Sequence, residues 1–185
     1  RTLVLGKQSA VSFMPPGGSR YWGTADLARP ESASAQSINR MAKWQFANAY
    51  EAEYARTLGN AVADSTLFTK AFMAATTPAA DFGTDQGNLG NNLKSLASVL
   101  PVFKVQGLKR QVFLTSWGNF DTHANQLGAA ADTQDAQLAV LSKALVAFDA
   151  TNRANGMDGN VVTLVMTEFG RTLRPGSGGG SEHAW

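Results

Sequence analysis

The chain contains no cysteine. Disulfide bridges, thiolate metal sites and cysteine nucleophiles are therefore excluded. No uninterrupted apolar run approaches the ~18 residues that a membrane helix needs, so no membrane span is expected. Charge is sparse: 16% of the residues are Asp, Glu, Lys or Arg, and the formal net charge is +2. Lysines and arginines are scattered, with only Lys109 and Arg110 adjacent, which describes a solvated surface and not the basic stripe of a nucleic-acid binder. There is no Gly-x-Ser-x-Gly elbow, which disfavours a serine-hydrolase triad. The glycine run Gly176-Ser177-Gly178-Gly179-Gly180 lacks the Lys-Ser/Thr of a phosphate loop and reads as a mobile connection. Only two histidines occur, His123 and His183, and each follows an acid by one or two positions.

What is present fits one domain of ordinary size, since 185 residues can bury a real core. The chain opens without Met or a signal-peptide pattern and stops at Trp185, straight after an acid-histidine pair. A middle piece of a longer protein, lacking both ends, is the expectation. Residues 1–33 read as irregular, with short strands at 3–5 and 11–14, a break at Pro15-Pro16-Gly17-Gly18, and Tyr21 and Trp22 as partly buried anchors.

Residues 34–105 read as mainly helical. Ser34 is placed to cap a helix running to about residue 63, with Trp44, Ala47, Tyr50, Tyr54, Leu58 and Ala61 on one face. Helix continues over 67–75 until Thr76-Thr77-Pro78 ends it. A polar loop at 81–88 precedes an amphipathic helix on Leu89, Leu93, Leu96 and Leu100, which Pro101 is expected to stop or kink.

Residues 111–185 carry the chemistry. The run QVFLTSW from Gln111 predicts a strand, and Asp121 and His123 follow on the loop that leaves it. A helix over 133–152 should bury Leu138, Leu141, Leu145 and Phe148, and Asn155-Gly156 should stop it. Val161 to Met166 (VVTLVM), apolar on both alternating faces, reads as a second, covered strand. Strand, helix, strand predicts a βαβ unit with a parallel pair.

Ligands collect beyond the carboxyl ends of parallel strands. The second strand leads into Thr167-Glu168-Phe169-Gly170-Arg171-Thr172, and Ser181-Glu182-His183 lies beyond the glycine run. Asp121, His123, Glu168, Glu182 and His183 together would form a mixed oxygen and nitrogen site for a divalent metal ion: zinc, manganese, magnesium or calcium. Arg171 is the candidate catalytic cation for a small anionic substrate. Plainer readings stand beside each: Asp121 as a turn cap with His123 exposed, Glu168 paired with Arg171 or Arg174, and His183 in a loose terminus.

Three stretches in this order, RQVFLTSWGNFDTHANQ, DGNVVTLVMTEFGRT and SEHAW, resemble the bacterial family called domain of unknown function 1501. Its members show G-G-F-D-T-H, then S-E/D-F-G-R-T, then G-x-D-H-G-W. The resemblance covers residues 89–185 most strongly. It implies an α/β fold like alkaline phosphatases and sulfatases, a parallel sheet flanked by helices. It also implies metal-dependent hydrolysis of phosphate or sulfate esters. Asp121 and His123 would then bind one metal, Glu168 would lie near a second, and His183 would complete the set. Phe148-Asp149 sits where the superfamily has a helical Phe-Asp pair. Glu182 departs from the family's aspartate, and Asn119 from its second glycine. The superfamily's nucleophilic Ser or Thr on an N-terminal strand has no counterpart in this chain. A twin-arginine signal upstream of many relatives implies a periplasmic or exported protein. The alternative is a non-catalytic exported binding or assembly protein that keeps the fold.

Overall fold

The computed structural model describes residues 2–6, 9–14, 33–83, 89–118, 120–128 and 130–184. The expected anchors Tyr21 and Trp22, the break at 15–18 and residues 84–88 of the loop expected at 81–88 lie outside the described residues. The chain forms two compact units, Arg1–Thr77 with Ser95–Ser116, and Pro78–Lys94 with Trp117–Trp185. Helix and sheet are mixed, as expected.

In the first unit, β1 (Thr2–Gly6) and β2 (Ser9–Met14) pair antiparallel, with Thr2 opposite Met14. Strand β3 (Val112–Thr115) joins the free edge of β1 in parallel, Thr2 beside Val112 and Leu5 beside Thr115. The sheet order is β2-β1-β3. The strand predicted at Gln111 is therefore present, and its parallel partner is the N-terminal strand.

The long helix expected from residue 34 is two helices, α1 (Ala33–Met41) and α2 (Ala49–Ala74). Asn48 starts the second: its side-chain oxygen accepts the Tyr50 N–H at 2.8 Å, which satisfies one of the orphan donors of a helix start. The aromatic face does not form a core: Trp44 falls between the helices and is 62% exposed, and Tyr50 in the first turn of α2 is 88% exposed, whereas Leu58 further along α2 is buried with Ile38 and Val62. Gly59 lets α2 approach the turn after α1: an added Cβ would stand 3.0 Å from the Ala42 Cβ. The helix ends at Ala74, before Thr76-Thr77-Pro78, as the sequence predicts.

Helix α3 (Leu89–Val105) buries all four expected leucines, Leu89, Leu93, Leu96 and Leu100. It runs on past Pro101 to Val105 and buries Phe103, whose ring stacks on Phe113 of β3 at 6.2 Å. Gly107, at φ 73°, then turns the chain, with the Leu108 N–H donating to the Phe103 carbonyl at 3.0 Å.

In the second unit, α4 (Gln134–Ala154) ends as predicted at Asn155-Gly156, with Gly156 at φ 64° and the Met157 N–H on the Asn152 carbonyl. Its buried face is Gln137, Ala144, Ala147, Phe148, Thr151 and Asn152. Of the predicted stripe Phe148 is buried, Leu141 and Leu145 are half-buried and Leu138 is 48% exposed, so the deepest contact is shifted towards the alanines. At its start this face is tied to the preceding turn: Gln137 Nε2 donates to the Asp132 carbonyl at 2.8 Å.

The predicted second covered strand is not formed. Among the described residues, Val161 to Met166 belong to no ladder, and Val162 is 95% and Leu164 76% exposed. A β-branched run prefers the pleated conformation only when a neighbour pairs its backbone and covers its side chains.

Candidate metal site

Three chain segments of the second unit meet at one place, and backbone hydrogen bonds bring them there. Strands β4 (Gly170–Arg171) and β5 (His183–Ala184) pair antiparallel and set Arg171 directly opposite His183. Thr172 extends the pairing: its N–H donates to the Glu182 carbonyl, and its hydroxyl accepts the Glu182 N–H, both at 3.0 Å.

The glycine run that links these strands is tied down. Asn125 and Gln126 donate their N–H groups to the Gly178 and Gly179 carbonyls at 3.0 and 3.2 Å. The Ser181 N–H donates to the Thr122 carbonyl at 3.1 Å, between the two residues that matter most, Asp121 and His123. The run read as mobile is thus the strap that lays the third motif over the first. Gly180 makes the contact possible: an added Cβ there would fall well under 3.0 Å from the backbone of His123 and Thr122. Ser181, buried, donates its hydroxyl to Gln126, and the Gln134 N–H at the start of α4 donates to the Gln126 carbonyl at 2.8 Å.

The result is a cluster on one oxygen. Asp121 Oδ1 lies 2.7 Å from His183 Nε2 and 2.9 Å from His123 Nε2, and it accepts a hydrogen bond from the Arg171 guanidinium. The two Nε2 atoms are 3.2 Å apart. On the far side of the His123 ring, Nδ1 is 2.9 Å from Glu182 Oε2. Phe169 flanks His183, ring centres 4.4 Å apart. The hydrogen bond from His183, and then the fields of His123, His183 and Arg171, hold the Asp121 carboxyl below the usual carboxylate range.

Asp121, His123 and His183 form a group that could hold a metal ion. Glu182 touches the outer nitrogen of His123 and not the convergence point, and exposed Glu168 is not among the three. Arg171 is tucked in, its side chain 15% exposed, with its guanidinium on Asp121 and the Ser181 carbonyl. The sequence reading placed Thr172 and Ser181 in the polar clusters without giving either a role, and it gave none to Gln126. The density of glycine at 176–180 was the available clue, because glycine permits close backbone approach.

Over residues 20–185 the sequence matches DUF1501, a family described as a protein of unknown function. The chain belongs to the DUF1501 family. No curated protein and no solved structure matches it. The family match covers all three site motifs and helices α1 to α4, so the triad is a feature of a DUF1501 chain. Among the described residues, no helix is long and apolar enough to cross a membrane.

Proposed function

We propose that this DUF1501 chain carries a divalent-metal site and contributes it to a hydrolase of phosphate or sulfate esters. One observation supports this most: Asp121 Oδ1, His123 Nε2 and His183 Nε2 converge within 2.7 to 3.2 Å of one another. One carboxylate oxygen and two imidazole nitrogens are a donor set for a divalent ion, and ring protons with the Arg171 guanidinium hold the same atoms together without it. Donor atoms around a four-coordinate zinc stand roughly 3.3 Å apart, so a small expansion fits these residues to the ion. Two nitrogens and one carboxylate oxygen suit zinc or manganese better than magnesium or calcium, which take oxygen ligands.

Asp121, His123 and His183 would hold the metal, which supplies polarisation of the ester oxygen and stabilisation of developing charge when bound. Arg171 adds positive charge at the edge of the cluster, which favours an anionic ester. The alkaline-phosphatase-like parallel sheet belongs to the same proposal: Val161 to Met166, apolar and exposed, supplies one of its strands once paired. Slow amide exchange over these six residues in the protein supports that sheet, and exchange at unprotected rates removes it.

A second reading rests on a different feature. Asp121 is already matched by Arg171, His123 and His183, so the cluster could serve as a polar crosslink in a non-catalytic exported binding or assembly protein. Metal analysis, followed by assays on generic phosphate and sulfate monoesters with His123→Ala as control, separates the two. Metal-dependent turnover lost in the variant supports the hydrolase. Bound metal without turnover supports the crosslink or binding role, and neither metal nor turnover removes the enzyme.

A further inference from the structure

Glu182 invites the role of a metal ligand by its place beside His183, but the structure puts its carboxylate elsewhere. Oε2 stands 2.9 Å from His123 Nδ1, whereas the atom of His123 that meets Asp121 and His183 is Nε2. We infer that Glu182 is a positioning residue that fixes the tautomer and ring orientation of His123, and that it does not bind the metal itself; this deepens the metal-site proposal and rests on it.

The chemistry follows from the two ring nitrogens. A carboxylate only accepts hydrogen bonds, so Glu182 draws a ring proton to Nδ1, while Asp121, 2.9 Å from Nε2, draws one to the other nitrogen. A neutral imidazole has one N–H, so a metal at Nε2 requires that proton on Nδ1, where Glu182 accepts it. Metal-bound histidines commonly rest their other nitrogen on such a carboxylate, which raises their basicity and holds the ring plane. The backbone of Glu182 is fixed by its two hydrogen bonds with Thr172. Gly176 lies beside this carboxylate, an added Cβ there standing 3.1 Å from Glu182 Oε1, and Gly180 brings the strap onto the backbone of His123.

Two measurements on the whole protein test this. The first needs no metal: 15N-1H correlation of the imidazoles at about pH 8, where an ordinary imidazole is neutral. With two histidines in the chain, His123→Ala assigns both. In the metal-free protein, Glu182→Ala should shift the His123 proton from Nδ1 towards Nε2, where Asp121 still accepts it. A tautomer balance that Glu182→Ala leaves unchanged overturns the inference.

The second is zinc titration against a chelator, with cobalt absorption reporting the coordination number. Glu182→Ala should weaken zinc binding by about 10- to 100-fold while leaving the cobalt spectrum unchanged in shape. Glu182→Gln, whose amide oxygen still accepts from Nδ1–H, should recover part of the loss. A changed cobalt spectrum, or a Gln variant as impaired as Ala, makes Glu182 a ligand and overturns the inference. If the wild type takes up no zinc, the metal reading fails, and the tautomer result still decides whether Glu182 governs His123.

Discussion

Gly180→Ala is the substitution that most directly tests how the site is assembled. A methyl group at this position has no room, because the backbone of His123 and the carbonyl of Thr122 occupy it. Backbone cannot swing aside as the end of a long side chain can. The two segments must separate by on the order of 1 Å to restore ordinary contact. The hydrogen bond from Ser181 to the Thr122 carbonyl, 3.1 Å long, then stretches beyond useful range. Three residues on, His183 moves with the strap and leaves Asp121, now 2.7 Å away. Forced overpacking costs about 1–3 kcal/mol, and the lost hydrogen bond adds about 1 kcal/mol. We expect the second unit to lose about 2–4 kcal/mol in denaturant unfolding. Zinc affinity should fall about 10- to 100-fold, because the ligand set is disturbed without any ligand being removed. Gly159→Ala is the matched control, since nothing lies within 4 Å of a Cβ there. It should change stability by no more than about 0.5 kcal/mol. Gly180→Ala that unfolds and binds zinc like the wild type would refute the close approach of the strap.

Other expectations follow from packing and charge. Phe148→Ala, in the buried face of α4, should cost about 3–5 kcal/mol in chemical denaturation. Leu138→Ala, on the exposed side of that helix, should cost far less; equal losses would restore the leucine stripe. Gly90→Ala should destabilise by about 1–3 kcal/mol, because its Cβ would stand 2.6 Å from the Phe82 carbonyl oxygen. The Lys143 ammonium, 2.7 Å from Asp81, holds the Asp81 carboxyl below its ordinary value, first by a hydrogen bond, helped by the Gly83 N–H. A depressed folded value means that the bridge's contribution is present above the unfolded value and lost as pH falls through the folded one. Lys143→Met should therefore raise the Asp81 pKa in a carboxyl NMR titration, with little change in stability because the pair is exposed. No shift on substitution would show that the two groups are apart in solution.

Local signals in the sequence were good guides where the local physics is decisive. The Asn155-Gly156 stop, the end of α2 before Thr76-Thr77-Pro78 and the leucines of α3 all hold. Two helical faces were misassigned for one reason: spacing shows which residues share a face but not where along the helix a neighbour covers them. In α2 the covered part of the face is at Leu58 and Val62 and not at Tyr50 and Tyr54, and α4 buries Gln137 and Ala144 while Leu138 is half exposed. Val161 to Met166 shows the limit of strand propensity, which selects a conformation but supplies no partner. At the site, Asp121, His123 and His183 were legible as acid-histidine pairs. The placement of Glu182 on the outer nitrogen of His123 was not, because it depends on the strap from Gly176 to Gly180 and on its backbone hydrogen bonds.

The central claim is that Asp121, His123 and His183 bind a divalent metal ion. It is tested most directly by metal analysis after equilibration with zinc or manganese and removal of the excess. The wild type should retain one ion per chain, and Asp121→Asn, His123→Ala and His183→Ala should each lose it while staying folded. A wild type that retains none, or variants that retain as much as the wild type, would contradict it.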